Sequence, residues 1–277
     1  MSDARLSATD VTSSDSTERP CVSIVVPVRN EAENIGPVAE EIAASMSGQS
    51  PFEVVYVNDG STDNTAVEID RVMKDRPWLR HLRHAVSSGK SAAIRTGVAA
   101  ARGRLIVTLD GDGQNDPAFL PALIEPLLQN ERIGLVVGQR VGRKDTAFKR
   151  IQSRIANKVR AAVLRDGTRD TACGLKAFRR DAFLALPYFD GMHRFLPALV
   201  RRDQHEIAYF DVVDRSRRAG KSNYGMSDRL WIGVLDLVGV WWLIRRRARV
   251  PQAVEIVDKM CQGHSRITAC NDLNGIP

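Results

Sequence analysis

Three times before residue 110 the chain runs a short apolar stretch, a polar loop and a helical stripe against one another, and this repeat limits its possible folds more than any other feature. Val22-Ser-Ile-Val-Val-Pro27 leads through Val28-Arg-Asn-Glu31 into a helix carrying Ala32, Ile35, Val38 and Ile42 on one side. Phe52-Glu-Val-Val-Tyr-Val57 leads through Asn58-Asp-Gly-Ser61 into a helix capped within Thr62-Asp-Asn-Thr65 and running to about Lys74. Gly89-Lys90 opens a third helix through Ala92, Ile94, Val98 and Ala101, Arg102-Gly103 ends it, and Arg104-Leu-Ile-Val-Thr-Leu109 is the next strand. Strands and helices alternating at this spacing predict an α/β fold, with a mostly parallel central sheet flanked by helices. In such sheets ligands bind beyond the carboxyl ends of the strands, where Asn30-Glu31, Asp59 and Asp110 to Gln114 all fall.

Asp110-Gly-Asp-Gly-Gln114 is the richest of these clusters. Residues i and i+2 of an extended segment project to one side, so Asp110 and Asp112 face a common site and Gln114 continues it. Two carboxylates and an amide oxygen suit a hard divalent cation, Mg2+ or Mn2+, which keeps positions for water and substrate phosphates. The glycines let the backbone turn tightly and let a ligand approach. An isolated D-x-D is more often a chain-reversing turn. Its convergence with two other strand ends is what favours a site.

With these motifs in view, the chain resembles the family 2 glycosyltransferases of the GT-A fold, and among them the dolichyl-phosphate mannosyltransferase-like branch. The resemblance runs from about Cys21 to Leu243 through Val25-Val-Pro-Val-Arg-Asn-Glu31, Val57-Asn-Asp-Gly-Ser-Thr-Asp-Asn-Thr65, Gly89-Lys90 and Asp110-Gly-Asp-Gly-Gln-Asn-Asp-Pro117. It continues through Gly138-Gln-Arg140, Asp170-Thr-Ala-Cys-Gly-Leu-Lys176 and Arg217-Arg-Ala-Gly-Lys-Ser222. It implies a nucleotide-sugar donor, a polyprenyl-phosphate acceptor, Mg2+ or Mn2+, and transfer with inversion. Pro27, Arg29 and Glu31 match positions lining the nucleoside pocket, and Asp59 the acid that recognises the base. Asp110 matches a nucleotide and metal contact and Gly111 a nucleotide-sugar contact; Asp112 and Gln114 match the metal ligands. Lys90 sits at a helix start that favours an anion. Each of these residues also has an ordinary local reading: a helix N-terminal acid for Glu31, a turn aspartate for Asp59, a solvated lysine for Lys90.

The resemblance also assigns cations to anionic groups. Arg140 matches an anion-holding arginine, and Lys149, with Arg150 as its neighbour, stands four residues before Ser153 where the family commonly has arginine. Lysine keeps the charge but lacks the bidentate fork. The basic run of residues 140–160, with Ile151, Ile155, Val159 and Val163 opposite, reads equally as a solvated helix face. Arg217 matches the phosphate-binding arginine of the acceptor loop and Ser222 its serine, while Asn223 replaces the usual lysine and leaves Arg218 and Lys221 to restore charge. Asp170 is expected to contact sugar or acceptor, or to cap its own segment. A phosphate acceptor is already anionic and needs no general base, whereas a hydroxyl does. Met192-His-Arg-Phe195 occupies the place of an acidic motif in hydroxyl-using relatives, and His193 with Arg194 suits an anion instead. A hydroxyl of a glycan or lipid is the alternative acceptor.

Residues 21–228 are expected to form the GT-A domain, after a Ser/Thr/Asp-rich, disordered segment over residues 1–20 that has no apolar run of a signal peptide. Residues 229–249 read as an amphipathic membrane-interface helix with a basic flank, and 250–277 as a polar tail. Trp231, Val234, Leu235, Val238, Trp241 and Trp242 share one face of that helix, opposite Gly233, Asp236 and Gly239. It is too short to span, since a crossing needs about 20 apolar residues; lying in the interface, or packing on this domain or a partner, are the alternatives. A net charge of +7 suits anionic substrates and membrane surfaces. Basic residues without interleaved stacking aromatics argue against nucleic acid. The expected setting is cytoplasmic, peripheral on the membrane, with a homo-oligomer or a membrane partner subunit left open. The four scattered cysteines read as free thiols, because Cys261, His264 and Cys270 lack a fourth zinc ligand.

Overall fold

The computed structural model describes residues 20–141, 160–215 and 228–246, with side chains in the last stretch described from Gly233 onward. Lys149, Arg150, Ser153, Arg217, Ser222, Trp231, the expected disordered terminus up to residue 19 and the tail after 249 lie outside the described residues or side chains.

The repeat read from the sequence appears as β1 (Val22–Val28), α1 (Ala32–Met46), β2 (Phe52–Asp59) and α2 (Thr65–Met73), then α3 (Lys90–Ala100) and β4 (Leu105–Thr108), with a strand the sequence reading did not pick out, β3 (Leu79–His84), between α2 and α3. Then follow α4 (Leu120–Gln129), β5 (Ile133–Val141), β6 (Lys176–Arg179), α5 (Arg180–Leu184), α6 (Leu196–Arg202), β7 (Glu206–Val213) and α7 (Asp228–Arg245). The described strands form one sheet in the order β3-β2-β1-β4-β6-β5-β7, in which β6 alone runs antiparallel to its neighbours. Alternation along β1 sends Ile24 and Val26 to one face, against Ile35 and Ile42 of α1, and Val25 to the other, with Ile94 and Val98 of α3. Both faces of the central strands are therefore buried, which is why these strands are continuous apolar runs. The edge strand β3 has no such run: its polar residues are met by Arg80 pairing with Glu53 at 2.8 Å and His81 with Asp70 at 2.7 Å.

The register decides where the strands stop. Thr108 of β4 lies level with Val25 of β1, whereas β1 and β2 continue together to Val28 and Asn58. β4 thus ends early, and the chain after it crosses over the carboxyl end of β1. A Cβ on Gly111 would stand 2.3 Å from Val28 Cγ1, so only glycine lets the crossing segment lie this close.

Helix α7 packs by Leu237, Val240, Leu243 and Ile244 onto the core beside α6, where Arg202 Nε donates to the Leu243 carbonyl at 3.1 Å. Its inner face is this aliphatic stripe rather than the small-residue stripe, and Gly239 is exposed. The reason is burial of apolar area, which favours four aliphatic side chains over two glycines. Val234, Leu235, Val238, Trp241 and Trp242 lie on the outside, exposed by 38–70%. No described helix is long and apolar enough to cross a membrane.

Candidate active site

Because β2, β1 and β4 are adjacent and parallel, their carboxyl ends bring Pro27, Arg29 and Glu31, Asp59, and Asp110 to Gln114 to one edge of the sheet. Arg29 is exposed and Pro27 half-buried. Glu31 accepts from Asn34 Nδ2 at 2.6 Å, and its N–H donates to Thr65 Oγ1 at 2.9 Å, so the loop after β1 is tied to the start of α2. Asn30 takes φ +56°, a left-handed conformation that asparagine tolerates, and its Oδ1 accepts from the Thr62 N–H at 2.8 Å.

Asp59 is more occupied than the base-reading role implies. Its Oδ1 receives His84 Nδ1 at 2.7 Å and the Ser88 N–H at 2.8 Å, and its Oδ2 receives Ser87 Oγ and the Gly89 N–H, both at 2.9 Å. Burial raises this carboxyl, but the four donors outweigh it and hold it below the usual range. Asp59 is thus the clamp that fixes the 87–89 loop and, through Gly89, the start of α3.

Helix α3 begins with Lys90, whose ammonium donates to Asp110 Oδ1. Burial pushes Asp110 up, and Lys90, then Lys176 and Arg140, overcome that and keep it ionised below the ordinary carboxylate range. The floor beneath Asp110 is the segment Asp170 to Gly174. Thr108 Oγ1 donates to the Gly174 carbonyl at 2.7 Å, and the buried Lys176 ammonium donates to the Cys173 and Thr171 carbonyls. Burial, reinforced by Lys90, pushes Lys176 down to about 8.

Arg140 grips the same floor from β5. Its Nε and Nη2 hold both oxygens of Asp170, at 2.5 and 3.0 Å, and Nη1 reaches Asp214 at 3.2 Å. Burial lowers this guanidinium, but Asp170 and Asp214 outweigh it and raise its pKa. Asp170 therefore pairs within the protein, and the anion-holding role expected of Arg140 is met by two carboxylates of the chain itself. His193 differs from expectation in charge. It is bonded to Ser91 Oγ at 2.7 Å, and burial followed by repulsion from Lys90 and Lys176 holds its pKa well below the ordinary value. The imidazole is neutral near pH 7 and adds a hydrogen bond, not a cation.

Asp112 accepts the Gln114 N–H at 3.1 Å, which curls the loop so that carboxylate and amide leave from one turn. This all-oxygen donor set would suit a hard divalent cation such as Mg2+ or Mn2+. Sequence reasoning passed over Asn115, Asp214 and Arg215. Asn115 Oδ1 accepts the Asp110 N–H at 3.1 Å while its Nδ2 donates to Asp214 at 3.1 Å. Local sequence carries no signal for these partners, because 115 and 214 lie 99 residues apart.

A mostly parallel sheet with an acidic turn at its carboxyl edge and one antiparallel strand beside it is the architecture of the GT-A glycosyltransferases. The chain belongs to glycosyl transferase family 2, whose model matches residues 23–186. Among curated relatives it is 37% identical over 233 residues to a dodecaprenyl-phosphate galacturonate synthase of Rhizobium johnstonii, covering 82% of this chain and 68% of that one. It is 32% identical over 209 residues to an undecaprenyl-phosphate 4-deoxy-4-formamido-L-arabinose transferase of Edwardsiella ictaluri, covering 74% and 63%. The chain thus spans less than two thirds of the second relative. Among solved structures, glucosyl-3-phosphoglycerate synthase of Mycobacterium tuberculosis, bound to Mn2+, UDP-glucose and glycerol 3-phosphate, superposes with TM-score 0.62 at 22% identity, over 83% of this chain and 81% of that one. That likeness establishes the shared fold.

Proposed function

We propose that this glycosyltransferase moves a sugar from a nucleotide-diphospho-sugar to a polyprenyl phosphate, with inversion at the anomeric carbon. The observation that carries the reading is the Asp112–Gln114 turn beside the Lys90–Asp110 pair, on a chain whose two relatives above are both named for polyprenyl phosphates. Pro27, Arg29, Glu31 and Asp59 line the nucleoside end, and Lys90, Asp110, Gly111 and Asp112 the diphosphate. Asp112 and Gln114 would hold Mg2+ or Mn2+, which when bound would neutralise charge developing on the departing diphosphate. Arg217, Ser222 and the basic pair Lys149 and Arg150 with Ser153 hold the acceptor phosphate. The bond from the anomeric carbon to the diphosphate oxygen breaks as one to the acceptor phosphate oxygen forms. An anionic acceptor brings no proton to be removed, so positioning and charge complementarity do the work.

A polyprenyl acceptor stays in the bilayer, and the outer face of α7 fits a lipid surface. Arg245 stacks 3.9 Å from the Trp241 ring centroid and Arg246 lies 5.8 Å from that of Trp242, beside exposed Val234, Leu235 and Val238. Tryptophan and arginine together suit headgroup depth and anionic lipid. We place the enzyme as a peripheral protein on the cytoplasmic face, where it meets its donor.

The hydroxyl-acceptor alternative has one observation in its favour: exposed Asp190 precedes the Met192–Arg194 turn and lies against Gly89. The deciding test uses purified protein, Mn2+ or Mg2+, a polyprenyl phosphate in detergent, and labelled GDP-mannose, UDP-hexoses and UDP-hexuronates. Label entering the organic phase, stopped by EDTA and retained by Asp190→Asn, is the expected result. Bound donor with no labelled lipid, or activity abolished by Asp190→Asn, favours the hydroxyl reading.

A further inference from the structure

We infer that Arg215 is a positioning residue for the cation-binding turn, holding it from the exit of β7. Three consecutive residues of that turn are bound by two consecutive residues beyond β7. The Arg215 N–H donates to the Gln114 carbonyl at 2.8 Å, and Asn115 Nδ2 donates to Asp214 at 3.1 Å. The Arg215 guanidinium reaches Asp116 at 2.6 Å by Nη2, and Glu41 of α1 at 2.8 Å by Nη1. One side chain thus joins the turn to a helix of the core, while its own backbone fixes the Gln114 peptide. The far side of the turn is anchored as well: Asp116 Oδ1 accepts from the Ala118 N–H at 2.9 Å, and Ser45 Oγ of α1 donates to the Pro117 carbonyl at 2.6 Å.

The arrangement is asymmetric in a telling way. Arg215 is 37% exposed beside Asp116 at 21% and Glu41 at 27%, and ion pairs this near the surface contribute modestly to stability, so support of the fold accounts for only part of these contacts. They do fix the direction in which the Gln114 side chain leaves the backbone. Gln114 has no rigid element of its own, since the chain between β4 and the Pro117–Phe119 turn is loop. A ligand amide on a loop needs partners outside the coordination shell to hold it, and loss of such partners typically costs about 10–100-fold in metal affinity.

This inference rests on the cation reading of Asp112 and Gln114 but not on the identity of the acceptor. The test therefore measures binding of UDP and of GDP to the full chain by calorimetry, in Mn2+ and in EDTA, with melting temperatures alongside. For Arg215→Ala the expected result is Mn2+-dependent binding weakened about tenfold, binding in EDTA unchanged within about twofold, and recovery of most of the loss in Arg215→Lys. Wild-type strength in Mn2+, or equal weakening in Mn2+ and EDTA, overturns the inference. If Arg215→Ala does not fold, Glu41→Gln cuts one anchor at the surface and is read in the same way, with a loss of about threefold expected and none overturning it. A wild-type chain whose nucleotide binding ignores Mn2+ removes the cation reading itself, and the wild-type arm shows that separately from the variants.

Discussion

A Cβ on residue 174 would stand 2.4 Å from the Asp110 carboxyl carbon, so the floor segment lies against Asp110 only because residue 174 is glycine. The same Cβ would meet Asn115 Oδ1 at 2.4 Å, the atom that accepts the Asp110 N–H. Gly174→Ala is expected to displace both. Overpacking of this kind costs about 1–3 kcal/mol, and where it falls on the reacting geometry it corresponds to about 10–100-fold in rate. The check is kcat/KM beside a thermal melt; wild-type turnover would contradict the close fit.

Asp59→Asn tests the clamp on the 87–89 loop. The amide keeps one acceptor oxygen and turns its NH2 toward donors that formerly met a carboxylate. Leaving such groups unsatisfied costs about 1–3 kcal/mol, a fall in Tm of about 2–4 °C per kcal/mol for a domain of this size. Faster hydrogen exchange at the Ser88 and Gly89 amides is expected with it. An unchanged melt and exchange would leave Asp59 to the nucleotide alone.

Lys90→Met removes the largest partner keeping Asp110 ionised. The folded pKa of Asp110 is depressed, so its stabilising ionisation is present above the ordinary carboxyl range and lost as pH falls through the folded value. Without Lys90 that loss begins at higher pH. The acid limb of the pH–rate profile is expected to move upward in the variant, and an unmoved limb would detach Lys90 from Asp110.

Lys176 titrates at the opposite end. Its folded pKa, about 8, lies below the ordinary 10.5, so between these values the unfolded chain binds more protons and this group favours folding increasingly as pH rises. Activity is expected to go the other way, because the cation beneath Asp110 is lost as pH passes about 8. Rates from pH 6.5 to 9.5, ranges chosen about the titration, should show an alkaline limb that Lys176→Met lacks.

Trp241→Ser with Trp242→Ser tests the α7 face. Co-sedimentation with vesicles containing anionic lipid is expected to fall by about tenfold or more, since each indole buries a large area at an interface. Nucleotide binding should stay unchanged, and undiminished sedimentation would move the lipid contact elsewhere.

The repeat of strand and helix was legible because β1, β2 and β4 are buried on both faces and must be continuous apolar runs. β3, with Leu-Arg-His-Leu-Arg-His across Leu79–His84, escaped notice because its two leucines fall on opposite faces among charged and polar residues, which gives neither an apolar run nor a period-two alternation. The strand-end acids were legible for a topological reason: parallel neighbours bring all their carboxyl ends to one edge, whatever their side chains do there.

The sequence by itself determined the α/β layering, the family, and which polar residue types stand beyond the carboxyl ends of the strands. Only the tertiary structure decided which of those residues are already committed. Asp170 meets Arg140 across 30 residues, Asn115 meets Asp214 across 99, and Arg215 meets Glu41 across 174. Each reads locally as an ordinary polar residue, and a charge shows its partner only when the sheet order brings the two within hydrogen-bonding reach. The neutral state of His193 has the same origin, since burial and the nearby ammonium groups of Lys90 and Lys176 exist only once α3, β6 and the 192–194 turn are packed together.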